Sequence, residues 1–166
     1  MRDARYIAVH RGGPLSLERH RLLAAWAADC AERVLPLFSA PYPEDDRPRQ
    51  AIQAARAWSR DEIRVGEARA ASVASHAAAR QADEGAARFV ARAAGHAVAT
   101  AHMADHAPGA AIYALLAIRA ATAKNQVEAA VAQEYRWQKE HLPAEIRELV
   151  LSTFAEKFAY LNLPGS

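Results

Sequence analysis

Between Arg92 and Lys124 the chain carries only two formally charged side chains, Asp105 and Arg119. The stretch is rich in Ala, a strong helix former, and a helix that is not charged on any side is one buried on most sides. A chain that contains such a segment has to wrap it, and a bundle of other helices does so most directly. At the start of the gap lies Gly95 to Ala107, Gly-His-Ala-Val-Ala-Thr-Ala-His-Met-Ala-Asp-His-Ala. Its three histidines and one aspartate need partners, because buried polar groups are costly unless hydrogen-bonded. They form either the polar interior of the bundle or the seat of its chemistry.

The rest of the chain agrees with helix. Of 166 residues 43 are Ala, and Val, Ile and Thr never gather into a run of period two. The fold class expected is all-α, a single-domain bundle of six or seven helices, with an arm over 1–15, a helical domain over 16–160 and a tail over 161–166. Ser16 is a good N-cap for a helix reaching about residue 38, with Leu22, Leu23, Trp26, Cys30, Val34 and Leu37 on one face. Further helices are expected over 48–60, 65–82, 83–106, 109–123, 124–140 and 144–160, with Asp46 and Asp83 as caps. Pro108 is read as a break at 107–109. The segment 70–79 has no formal charge and is the natural neighbour of the histidine stretch.

Several function classes drop out. A net charge of +2, with Arg spread among acids and no basic stripe, argues against nucleic acid. The charge-poor region is interrupted by His96, His102, Asp105, His106 and Pro108, so no membrane span is expected. The start of the chain lacks the apolar core of a signal peptide, and the single Cys30 allows no internal disulfide; both point to the cytoplasm. Cys30 reads as a small core residue. No nucleophile elbow, nucleotide-binding glycine fingerprint or glycosidase-like acid pair is present, so no catalytic residue is assigned.

Two groups of residues remain as candidate sites. The first is charged and loop-borne: Asp45, Asp46, Arg47 and Arg49 in a proline-rich connection, with Arg11 beside the Gly12-Gly13-Pro14 turn. The second is the histidine stretch. On one continuous helix His102 and His106 lie about 40° apart and one turn along, a spacing that can share a metal ion. Asp105 and a remote His76 would complete that set, and His96, about 120° from His102, would face elsewhere. On this reading the protein is a metal-binding helical protein or a metal-dependent hydrolase holding a divalent transition metal such as zinc. Met103, where metalloproteases place a Glu, speaks against hydrolysis. Without that site no cofactor is expected. A third reading is a homo-oligomer formed through an apolar helix face.

Five runs carry a family resemblance: Arg-Tyr-Ile-Ala at 5–8, His-Arg-Gly-Gly-Pro-Leu at 10–15, Trp-Ala-Ala-Asp-Cys-Ala-Glu at 26–32, Asp-Asp-Arg-Pro-Arg at 45–49, and the histidine run at 95–106. Together with Trp137-Gln138 and Leu142-Pro143-Ala144-Glu145-Ile146 they resemble bacterial immunity proteins of the immunity-protein-five-like group. The resemblance implies a helical protein that binds and neutralises a cognate toxin protein of a toxin–antitoxin or polymorphic toxin system. It supplies no catalytic residues. The exposed loops at 44–49 and 10–14 are the contact surfaces expected on this reading.

Overall fold

The computed structural model describes residues 3–157. The Ser16 hydroxyl accepts from the Arg19 amide at 3.2 Å and starts α1 (Leu17–Val34). This helix buries Leu23, Trp26, Ala27, Cys30, Ala31 and Val34. Pro36 has no amide hydrogen to continue it, and fits instead at the start of a new helix. The chain therefore steps into a separate short α2 (Pro36–Ser39). There follow α3 (Arg47–Ser59), α4 (Val65–Gln81), α5 (Ala86–Ala99), α6 (Ala107–Ala121), α7 (Val127–Glu140) and α8 (Ala144–Lys157).

The described residues thus hold eight α-helices where six or seven were expected, the extra one being α2, cut from the first helix by Pro36. They contain no β-strand, only an isolated bridge between Ala8 and Leu15. The expected last turn to residue 160 and the tail at 161–166 lie outside the described residues.

Helix α5 is the centre of the fold, in contact with α1, α2, α3, α4 and α6. Val90, Ala91, Ala93, Ala94, Ala97 and Val98 have no exposed surface. Its neighbour α4, the other charge-poor helix, approaches closely because the side chains between them are small. Ser72 donates to the Gly95 carbonyl at 3.0 Å and Ser75 to the Ala91 carbonyl at 2.8 Å. These two bonds satisfy both hydroxyls within the seam. A seam this tight has no room for added volume. Ala97, on another face of α5, is enclosed as well, and Ala97→Leu should overpack the core there and cost about 1–3 kcal/mol; an unchanged thermal melt would place α5 at a looser contact than its burial shows.

The outer layer closes over α1 and α6. The Trp26 indole donates to the Gln138 carbonyl at 3.1 Å, and the Gln138 amide donates to the Ala111 carbonyl at 3.1 Å. Phe154 packs on both Trp26 and Tyr135. Arg33 reaches the buried Glu134 at 3.0 Å and lies over the Trp137 ring. The N-terminal arm is pinned to α8: Arg5 donates to Ser152 and Glu156, each at 2.8 Å, and the buried Tyr6 hydroxyl sits 2.9 Å from that of Thr153. Cys30 is fully enclosed, and burial pushes its thiol well above its usual range, so it stays protonated as a core residue. No helix among the described residues is long and apolar enough to cross a membrane.

Candidate functional site

Helix α5 does not run on to residue 106. At its end Thr100 turns its hydroxyl back to the His96 carbonyl at 3.1 Å, and His20 of α1 donates Nε2 to the Thr100 carbonyl at 2.6 Å. The chain then turns: the amides of His102 and Met103 both reach the Ala99 carbonyl, and Met103 is extended at φ −147°. A 3₁₀ turn at Ala104–His106 leads straight into α6. Pro108 lies in the first turn of α6, where a missing amide hydrogen costs nothing and the fixed φ favours helix. The break expected at 107–109 therefore falls at 100–106, and Pro108 opens a helix instead of ending one. His102 and His106 are not one turn apart on a common helix.

The turn gathers four imidazoles all the same. The ring centroids of His76 and His96 are 5.4 Å apart, those of His96 and His106 5.0 Å, and those of His102 and His106 5.5 Å. The Nδ1 atoms of His96 and His106 face each other at 3.2 Å. His96, expected to point away, is the hub. Two glycines make the room. A Cβ on Gly95 would stand 2.7–2.9 Å from three atoms of the His76 ring, and one on Gly109 would stand 2.8 Å from His96 Nδ1. Both lie inside helices, where Gly costs about 1 kcal/mol relative to Ala. Space for the rings offsets that cost. Tyr113 flanks His96 at 5.0 Å, stacked on Phe89, with Arg92 over its other neighbourhood at 5.9 Å.

Burial disfavours the charged form at three of these rings. Burial, then the charges of His106, His76 and Arg92, bring His96 down to about 3. Burial likewise lowers His76, with Arg92, His106 and Arg80 adding to it. His102 is lowered by burial and by His106, Arg69 and Arg11, against a smaller opposing pull from Asp105. His20, fully enclosed against Trp58, is lowered chiefly by burial. Asp105 therefore lies near enough to act on His102, as the sequence suggested. Among the described residues, however, no three His, Cys, Asp or Glu side chains are arranged to hold a metal ion. The expected set of His102, His106, Asp105 and His76 does not converge on one point, because the backbone between His96 and His106 reverses.

The charged candidates lie elsewhere. Arg47 grips Asp45 through two nitrogens, at 2.8 and 2.6 Å, and reaches Gln81 at the end of α4 at 2.6 Å. That pairing holds Asp45 below the usual carboxylate range. Asp46 occupies the N-cap position of α3 without a capping bond, and accepts instead from the Gln50 side chain at 2.6 Å. Asp83 likewise does not cap α5: Gly85, at φ 122°, stands there, and Asp83 accepts from the Tyr42 hydroxyl. Asp46 and Arg49 are exposed. Arg11 is exposed where Gly12 turns the chain at φ 81°. Its charge is felt at His20 and His102, as is that of Arg69 at His102. The twelve steps of α4 from Arg69 to Gln81 span about 18 Å at 1.5 Å each. The two loops expected to share a contact thus sit toward opposite ends of the bundle.

The fold is all-helical around the buried helix α5, with the imidazole cluster at the C-terminal end of that helix and the clamped 44–49 loop against the end of α4. A family model described as Imm-5 like putative immunity protein matches residues 13–145, and the chain belongs to that family. The match takes in the 44–49 loop and all four histidines of the cluster, while Arg11 and Gly12 of the arm's turn lie just ahead of it. Membership implies a protein partner. Comparison with curated proteins gave no match, and comparison with solved structures gave none.

Proposed function

We propose that this protein protects the bacterial cell that makes it by binding a toxin in the cytoplasm and masking its working surface. The observation that carries the reading is the family match over 13–145. The structure adds a surface suited to the task. The loop at 44–49 presents Asp46 and Arg49 to solvent on a base fixed by the Asp45–Arg47–Gln81 clamp. Charges already held in place lose little freedom on binding, and interface charges govern association rate and partner choice.

The test is co-expression with the toxin encoded beside its gene, followed by a binding titration. Cells carrying the intact protein should survive. Asp46→Lys with Arg49→Glu should keep the helical circular dichroism and weaken binding about tenfold or more. Unchanged affinity would remove this loop from the interface. Absence of protection by well-expressed, folded protein would overturn the reading as a whole.

A further inference from the structure

We propose that His96 and His106 form a two-nitrogen chelate for a first-row divalent transition metal, with Zn²⁺, Ni²⁺ or Cu²⁺ as the class of ion. The two Nδ1 atoms lie 3.2 Å apart. Imidazole nitrogens bind zinc at about 2.0–2.1 Å, and at that length the pair subtends roughly 100° at the ion. That angle falls between octahedral and tetrahedral values. Each lone pair then has to point about 40° off the line that joins the two nitrogens, which a turn of each ring about its Cβ–Cγ bond would supply. Nitrogen donors without carboxylates favour these ions over Mg²⁺ or Ca²⁺.

The chelate differs from the set expected on a straight helix, since His96 supplies the second nitrogen and His102 and Asp105 are not ligands. Two further observations support it. The space beside His96 Nδ1 is kept open by Gly109, whose missing Cβ would stand 2.8 Å from that nitrogen. Both rings are partly solvent-exposed, so the remaining coordination positions are open to water. In the metal-free state one Nδ1 carries the hydrogen shared by the pair; on binding it moves through solvent to Nε2 of the same ring, so both rings become Nε2–H tautomers and no net proton is released. Arg92, whose guanidinium lies 5.9 Å from the Tyr113 ring that flanks His96, opposes the added charge and sets a moderate affinity.

The experiment uses full-length protein freed of any affinity tag and treated with chelator. Zn²⁺ is titrated by calorimetry, and Co²⁺ by its visible absorption as a spectroscopic probe. One equivalent should bind. His106→Gln should lower the affinity at least tenfold, and Gly109→Ala, which keeps both ligands but fills the space beside Nδ1, should do the same. His141→Gln changes an exposed ring stacked on Trp137, remote in the chain, and should leave binding unaltered. Absence of binding to the wild type overturns the proposal. So does binding that survives both His106→Gln and Gly109→Ala, or that His141→Gln removes. A circular dichroism melt of each variant confirms that a loss reflects the site and not the fold.

Discussion

Acidification from pH 7 to pH 5 should cost the chelator-treated protein about 2 kcal/mol of stability through His96 alone. The folded ring titrates at about 3, whereas an unfolded histidine titrates near 6.5. The unfolded chain thus takes up the proton more readily, and acid favours it. Stability is fully present above the unfolded value and falls steadily as pH drops toward the folded one. His20, His76 and His102 are lowered too and act in the same direction, so the total loss exceeds that of one ring. Asp3 and Asp45, which their Arg partners hold low, lose their contribution only below the ordinary carboxylate range, outside this window. Urea midpoints measured across pH 5–7 with chelator present give the slope directly. A flat profile would mean that the rings are solvated, and greater stability in acid would mean that they are ion-paired imidazoliums. His96→Gln should flatten part of the slope and leave the contribution of His20.

The other large effect belongs to Trp26. This ring is 1% exposed, packs on Phe154, and gives its indole hydrogen to the Gln138 carbonyl. Trp26→Ala should cost about 3–5 kcal/mol, a large share of the 5–15 kcal/mol typical of a domain. Trp26→Phe keeps most of the apolar area and leaves the carbonyl without its donor, which isolates a penalty of about 1–3 kcal/mol. Chemical denaturation of the two variants separates packing from the hydrogen bond. If both lose the same amount, the bond carries the cost and the ring's volume does not.

The sequence reveals the helices whose signals are local. Ser16 caps α1 as a capping residue should, the Val127–Glu140 helix buries Val131 and Tyr135 from its apolar spacing, and the helix read from the charge-free run at 70–79 sets Ser72 and Ser75 against α5. What failed depended on the direction of a signal or on tertiary contact. A proline marks both the end of one helix and the start of another, and Pro36 and Pro108 act in the second sense. The turn at 100–106 is fixed by His20 on the Thr100 carbonyl, a bond from eighty positions away that no local pattern shows. Once the chain turns there, helical angles between His96, His102 and His106 no longer describe their relation. The histidine run was visible as a place of interest, but its hub was not. Two signals for it did exist, Gly95 and Gly109 within otherwise good helix-forming stretches, and glycine at such positions often marks a close approach.

The clasp between the arm and α8 has a bearing on how the protein comes to be made. Arg5 and Tyr6 are bound to Ser152, Thr153 and Glu156, contacts that join residues about 150 positions apart. Synthesis delivers the arm early and α8 late, so the arm emerges with its partner not yet in existence. Helices α1 to α6 find their main partners among themselves and can associate during translation, but the Tyr6 hydroxyl lacks its Thr153 partner and the face of Trp26 stays uncovered until α8 arrives. A late step of folding is therefore the fastening of an early segment by a later one, and a ribosome stalled before α8 would release a chain with its aromatic core open to aggregation and to proteases.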